Sequence, residues 1–160
     1  MAGMAKIIEV FLDQYEAIQA AEVAILRRFE NLYGNKPDYH NLKREQDTWD
    51  LDINSAMCEL AFAKAFGLYW SGAGLKGERD VGQFEVRSTK YKTGKLILHP
   101  KDRDDAPFAL VVEDFPKFSI IGWTYGHLGK KDLYWSDPTK RNRPAYFVPQ
   151  SDLFPFDIPS

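Results

Sequence analysis

Three charged side chains in the stretch DVGQFEVR (80–87) are the residues of this sequence best placed to do chemistry. If the second half of the stretch is a strand, Glu85 and Arg87 share one of its faces. Gly82 permits a tight bend, which would bring Asp80 close to Glu85. Two neighbouring carboxylates repel unless a divalent cation lies between them. Their oxygen atoms suit Mg²⁺ or Mn²⁺, which activate water towards a phosphate, while an adjacent guanidinium neutralises the developing charge.

A fourth charged residue, Glu59, falls inside the apolar face of a helix predicted over residues 55–66. That face consists of Ala56, Leu60, Phe62, Ala63 and Phe66. A carboxylate buried without a partner costs several kcal/mol or changes its protonation state. Glu59 therefore needs a cation, a metal ion or a polar pocket.

Both features also have purely structural explanations. Glu59 would be satisfied by a core arginine or lysine, or by solvent at the border of the helix face. Glu85 and Arg87 would form a cross-strand ion pair on a solvated strand face. The residue patterns leave these alternatives open.

The elements that must position these side chains are two helices followed by a series of strands. Apolar residues at three- and four-residue steps predict one long N-terminal helix over residues 4–33, ended by Gly34 and Pro37. The second helix would begin among three capping-type residues and end before Gly67. The capping candidates are Asp52, Asn54 and Ser55.

The residue pattern of the remainder of the chain is typical of short strands joined by loops. Strands are predicted over residues 81–89, 96–98, 108–112, 118–123 and 145–148. Residues 35–53 and 126–144 are predicted to be irregular, and residues 71–77 to form a turn. Helices followed by a strand meander indicate an α+β fold.

The helix SAMCELAFAKAFGL (55–68) followed by DVGQFEVR resembles the PD-(D/E)XK superfamily of restriction-endonuclease-like nucleases. Matched position by position, Glu59 takes the place of the helix glutamate, while Asp80 and Glu85 take the two acidic positions. Arg87 stands where the family has lysine, and a guanidinium holds charge but does not act as a base. The spacing between Asp80 and Glu85 is also short for the family. The segment AYFVPQ (145–150) resembles uncharacterised phage and bacterial proteins.

This resemblance covers residues 54–125 and implies both a fold and an activity. The implied fold is a mixed central sheet flanked by helices, here with the long N-terminal helix (1–34) added before it and a loop-rich part (126–160) after it. The implied activity is metal-dependent hydrolysis of DNA, with Glu59, Asp80, Glu85 and Arg87 as catalytic residues. The first three would bind Mg²⁺ or Mn²⁺.

Basic residues near this cluster favour a nucleic-acid partner. One group is Lys90, Lys92 and Lys95; the other is Lys130, Lys131, Arg141 and Arg143, interleaved with Tyr134 and Trp135. Lysine and arginine bind phosphates, and aromatic rings stack on bases. The alternative is that lysines at hairpin tips keep the strand edges soluble.

Composition limits the remaining classes. The chain has 160 residues and a net charge of −2, which fits one domain with a local rather than a global basic surface. Cys58 is the only cysteine, so neither an internal disulfide nor a multi-thiolate zinc site can form, and Cys58 is expected to pack in the core. Neither a signal peptide nor a membrane-spanning run is recognisable, so a cytoplasmic protein is expected.

Two functional hypotheses follow from the sequence. The first is a Mg²⁺- or Mn²⁺-dependent deoxyribonuclease. The second is a catalytically inactive nuclease-like fold that binds DNA or protein as an assembly module, which the arginine at position 87 favours. A helix of roughly 45 Å would extend beyond a small core, so a homodimer joined through residues 4–33 is expected in either case.

Overall fold

The computed structural model describes residues 6–34, 45–72 (side chains from residue 49) and 79–157, and these form an α+β fold with a mixed sheet and three helices. The helices are α1 (Gln14–Tyr33), α2 (Glu45–Phe66) and the short α3 (Gly126–Gly129). The strands are β1 (Ile8–Phe11), β2 (Glu85–Thr89), β3 (Leu96–Leu98), β4 (Pro107–Asp114), β5 (Lys117–Tyr125), β6 (Trp135–Ser136) and β7 (Ala145–Val148).

The strands form two sheets of unequal size. The larger has the order β1-β5-β4-β2, in which β2 runs parallel to β4 and the other pairs are antiparallel. The smaller is antiparallel, with the order β3-β7-β6. Because β2 is the last strand of the larger sheet, it presents one free edge.

The larger sheet is covered on both faces. One face packs against α2 through Phe62, Val111 and Phe118, and the other packs against the smaller sheet through Leu98 and Phe108. Residues 108–112 of β4 are therefore all buried, which explains why this strand reads as a continuous apolar run rather than an alternating one. Each large side chain buried here stabilises the fold by about 1.5–3 kcal/mol.

The N-terminal helix is shorter than the sequence predicted. The prediction over residues 4–33 is wrong at its start, because residues 8–11 form β1, paired antiparallel with β5; residues 4 and 5 lie outside the described ranges. The helix begins after Asp13, whose side chain accepts a hydrogen bond from the Glu16 amide while Glu16 accepts from the Asp13 amide. This reciprocal capping box was readable in the sequence but was overlooked in favour of apolar spacing.

The second helix is longer than predicted. It begins at Glu45 rather than near Ser55, so the three expected capping residues lie within it, and the irregular structure predicted for 45–53 is wrong. Trp49 explains part of this extension, because its ring packs edge-on against Phe29 of α1 at 5.6 Å. The predicted end is confirmed, since Gly67 follows with a φ of 62°. Residues 35–44 and most of the predicted 71–77 turn lie outside the described ranges.

Strand predictions are confirmed more closely. Residues 96–98 and 145–148 are strands with the predicted limits, while 108–112 and 118–123 lie within longer strands. The segment 126–144 contains only α3, one 3₁₀ turn and β6, none longer than four residues. Within the described part of the chain, no helix combines the length and apolar character needed to cross a bilayer.

Two glycines with left-handed backbones allow a matched stability test. Gly67 and Gly82 have φ values of 62° and 57°. An added Cβ would meet nothing within 4 Å at Gly67, and only Leu68 Cδ1 at 3.4 Å at Gly82. Gly67→Ala and Gly82→Ala should therefore each lower the free energy of unfolding by about 1 kcal/mol through backbone strain alone. Urea titration measures this, and unchanged midpoints in both variants would contradict the assigned conformations.

Candidate active site

A tight turn brings the carboxyl groups of Asp80 and Glu85 together. Val81 and Phe84 exchange two backbone hydrogen bonds of 3.1 and 2.9 Å around Gly82, which closes the turn immediately before β2. The Asp80 carboxylate accepts a hydrogen bond from the Val86 amide at 2.8 Å. The negative charge of Asp80 then acts on the Glu85 carboxyl group. Gly82 thus has the role that the sequence suggested for it.

A neighbouring negative charge favours the protonated form of a carboxyl group. Partial burial, followed by the charge of Asp80, raises the pKa of Glu85 to about 7. The positive charges of Arg87 and Arg79 oppose this shift but do not cancel it. Near neutral pH Glu85 therefore gains and loses its proton readily, as is common for carboxyl groups at functional sites.

Arg79 is the arginine most loosely held at this site. One guanidinium nitrogen, Nη1, lies 3.8 Å from a Glu85 oxygen, and the other, Nη2, lies 4.0 Å from an oxygen of Asp105. Nη1 is buried and has no hydrogen-bond partner among the described residues. A buried donor without an acceptor is costly, which makes Arg79 Nη1 a candidate donor to an anion at this site.

Arg87 is held more firmly. Its Nη2 donates to Asp102 Oδ1 at 2.8 Å, and its guanidinium lies 5.1 Å from the centre of the Phe108 ring. The other oxygen of Asp102 accepts from the amide of His99 at 2.8 Å, which fixes the carboxylate. Arg87 thus connects β2 to the loop that follows β3, although its Nε is buried without a partner.

Glu59 is satisfied by a core arginine and a tryptophan. It is 6% exposed, and its Oε2 accepts from Arg27 at 3.0 Å and from the Trp70 indole at 2.9 Å. Oε1 accepts a longer hydrogen bond of 3.4 Å, also from Arg27, whose Nε donates to the Gly72 carbonyl at 2.7 Å. The structural alternative for Glu59, a core ion pair, is therefore present in the molecule.

The negative charge of Asp80 nevertheless links Glu59 to the turn. Burial raises the pKa of Glu59 first, and the charge of Asp80 raises it further, against the lowering effect of Arg27. Asp80 thus acts on both Glu59 and Glu85, although Glu59 makes its hydrogen bonds towards α1. Among the described residues, no three His, Cys, Asp or Glu side chains are arranged to hold one metal ion. The sequence predicted three carboxylate ligands, and in the structure the charge of Asp80 acts on the other two, Glu59 and Glu85.

The predicted basic residues occupy different environments. Lys90 and Lys95, with Arg87, line an open groove of about 980 Å³ beside β2, which we call the β2 groove; the side chain of Lys92 is exposed outside it. Lys131, Arg141 and Arg143 are exposed.

Lys130 differs from the other predicted basic residues because its ammonium group is largely buried. It donates to the carbonyls of Pro100 and Asp102 and to the Asp104 carboxylate. It therefore braces the 100–104 loop, a structural role that its sequence context did not suggest.

Sequence reasoning missed the cationic partners of the carboxylates. Arg27 falls on the face of α1 that carries the buried Ala20 and Ala24, and an arginine in line with buried alanines was an available signal. Arg79 immediately precedes Asp80, but its approach to Glu85 depends on the turn. The expectation for Cys58 is confirmed, since its side chain is buried and burial raises the pKa of its thiol.

Comparison of the chain with known protein families, with curated proteins and with solved structures finds no match.

The Glu59–Arg27 pair gives a stability prediction whose pH dependence has a definite sign. Arg27→Met leaves the Glu59 carboxylate buried without its cation, which should cost about 3 kcal/mol of unfolding free energy at pH 8. The pKa of Glu59 in the folded protein is already raised and should rise further in this variant. The cost should therefore shrink as the pH falls towards 4.5, because this lies below the raised pKa of Glu59 in both folded proteins and the protonated carboxyl no longer needs a cation.

The control for this experiment is the double variant Arg27→Met/Glu59→Gln. It removes both charges and should recover much of the stability lost at pH 8. Denaturant titration at several pH values measures both variants. A loss in Arg27→Met that is independent of pH would show that packing, and not the buried charge, is responsible.

Proposed function

We propose that the protein is a Mg²⁺- or Mn²⁺-dependent nuclease that hydrolyses DNA phosphodiester bonds and has a restriction-endonuclease-like core. The observation that carries this proposal is the turn at Gly82, which brings the charge of Asp80 to bear on Glu85 beside Arg79. Two carboxylates next to a guanidinium, one nitrogen of which has no hydrogen-bond partner among the described residues, combine a cation site with an anion site. Those are the two halves of a site for metal-assisted attack on a phosphate.

The donor set fits a hard divalent cation. Asp80 and Glu85 offer carboxylate oxygens, and a dication would displace the proton that the raised pKa of Glu85 favours. Mg²⁺ is commonly held by only one or two carboxylates, with water and substrate phosphate filling its other positions. Two protein ligands are therefore sufficient.

Each charged residue has a distinct proposed role. When bound, the ion supplies a water of lowered pKa and positive charge near the phosphate. Asp80 and Glu85 hold the ion, and Arg79 donates through Nη1 to a non-bridging phosphate oxygen. Arg87 adds positive charge from its fixed position against Asp102. Glu59 keeps its place in the Arg27 pair and favours cation binding at Asp80 by its negative charge.

A second candidate function is an assembly module of the same fold without catalysis. It is favoured by the large apolar side chains that α1 exposes. They are Ile18, Ile25, Leu26, Phe29 and Leu32, whose spacing places them along one stripe of the helix. An exposed apolar stripe of this kind commonly marks an interface. A second copy of the chain, packed through α1, would cover it.

The metal hypothesis predicts binding with a specific pH dependence. Since Glu85 has a pKa of about 7, Mn²⁺ must displace a proton below that pH. The affinity should rise about tenfold per pH unit up to pH 7 and level off above it. Isothermal calorimetry with Mn²⁺ alone measures this.

Glu85→Gln should weaken Mn²⁺ binding strongly and abolish its pH dependence. Asp114→Asn, which removes an exposed carboxylate at the far end of β4, is the matched control and should bind as the wild type does. Equal Mn²⁺ affinity in the wild type and in Glu85→Gln would remove this site from consideration.

Cleavage assays separate the nuclease from the assembly module. With Mg²⁺ or Mn²⁺, the wild type should degrade plasmid or single-stranded DNA, and Glu85→Ala should abolish this activity. Arg79→Ala should lose on the order of 10²-fold in kcat, as expected for one charge-stabilising donor. Arg87→Lys should retain activity, because lysine can still contact Asp102. Activity that survives Glu85→Ala would place the reaction elsewhere, and inactivity of both the wild type and Arg87→Lys would favour the assembly module.

The exposed stripe on α1 predicts a homodimer. Leu26→Glu/Leu32→Glu introduces charges into the stripe and should produce monomers, while Glu30→Gln, on the same helix, should leave the dimer intact. Light scattering of the wild type and the variants measures the mass. A monomeric wild type at tens of micromolar, the concentration range of such an experiment, would contradict the prediction.

A further inference from the structure

The β2 groove is lined by charged, polar and apolar side chains. The β2 residues Arg87, Ser88 and Thr89 line it, together with the 90–95 loop, and α2 contributes Asp50, Leu51 and Asn54. Ile97 of β3 and Phe147 of β7, which are paired across the smaller sheet, complete an apolar side. The volume of about 980 Å³ lies at the upper end of the range typical of ligand sites.

The loop that carries Lys90 and Lys95 is held in place by hydrogen bonds. Gln150 donates through Nε2 to the carbonyls of Lys92 and Gly94, each at 2.9 Å. The amide of Gly94 donates to the Tyr91 carbonyl, and the Tyr91 amide donates to Thr89 Oγ1. A loop held in this way loses little conformational entropy when a ligand binds.

The groove carries an excess of positive charge in a chain whose net charge is negative. Arg87, Lys90 and Lys95 line it, against the acidic Asp50 and Glu113. Lys90 also offsets Glu113, since it lowers the pKa of that carboxyl against the larger raising effect of burial. Charge complementarity therefore favours a phosphate-bearing ligand over a neutral one.

The apolar side of the groove distinguishes between forms of nucleic acid. Tyr91 is 67% exposed and Ile97 is 40% exposed, and both line the groove. Exposed rings and apolar side chains beside lysines bind unstacked bases together with their phosphates, as single-strand-binding surfaces do. A duplex keeps its base faces stacked inside, so it would use the lysines and leave Tyr91 without a base.

We propose that the β2 groove binds a segment of single-stranded nucleic acid, with phosphates on Lys90 and Lys95 and a base stacked on Tyr91. Arg87 lies on the groove wall and on the same face of β2 as Glu85. A nucleic-acid strand bound in the groove would therefore extend towards the proposed carboxylate pair. This inference rests on the proposed nuclease function only for cleavage of the bound strand. Binding itself requires no metal ion.

The test measures binding without divalent ions. Fluorescence anisotropy of a labelled oligothymidylate and of a duplex of equal length, in EDTA and over a salt series, should show tighter binding of the single strand. Lys90→Gln/Lys95→Gln should weaken it and reduce the slope of log K against log salt by about 0.7 per lost phosphate contact. Tyr91→Ala should weaken it on the order of tenfold and leave duplex binding unchanged.

The chain provides matched controls for both kinds of variant. Lys92→Gln removes the same charge from the same loop outside the groove, and Tyr69→Ala removes another highly exposed tyrosine; both should bind as the wild type does. Equal affinity for single strand and duplex, or an equal loss in Lys92→Gln and Lys90→Gln, would overturn the inference. A wild type that binds single strands but cleaves nothing with Mn²⁺ would overturn the nuclease and leave the groove assignment standing.

Discussion

The burial of the Glu59 carboxylate is the constraint on which the arrangement of the helices depends. A charge so poorly exposed has to be compensated inside the protein. Arg27 donates two hydrogen bonds to the Glu59 carboxylate, and Trp70 donates one. Because Arg27 also holds the carbonyl of Gly72, this one cluster fixes α1, α2 and the chain beyond α2. With α2 fixed in this way, Phe62, one turn after Glu59 on the same side of the helix, packs against the larger sheet.

The larger sheet in turn decides where polar chemistry can occur. With α2 on one face and the smaller sheet on the other, the middle of its central strands is buried, whereas the edge strand β2 has room for the charged side chains of Glu85 and Arg87. The parallel register pairs Glu85 with Phe108 and Arg87 with Leu110, so both charged residues lie on the side of the smaller sheet, where the apolar core ends. Partial burial at this margin, together with the charge of Asp80, moves the pKa of Glu85 into the neutral range.

The same margin connects the proposed metal site to the β2 groove. Arg87 is common to both, and its ion pair with Asp102 holds it in place between them. The basic residues of the chain thus divide by environment. Lys130 braces the 100–104 loop, whereas Lys90 and Lys95 line the open β2 groove. Lys130 therefore differs from the two groove lysines in its burial and not in its residue type.

The elements whose signals are local could be predicted from the order of the residues. The strands 96–98 and 145–148, the helix end before Gly67 and the bend at Gly82 follow from apolar runs and from glycine, whose effects reach only a few residues. Local spacing also exposed Glu59, Asp80 and Glu85 as anomalies, but gave no information about their partners. The tertiary structure alone decided that residues 8–11 pair with β5, that Arg27 compensates Glu59, and that Arg79 approaches Glu85. These contacts join segments that only folding brings together, and their energies depend on burial, which local residue order does not specify.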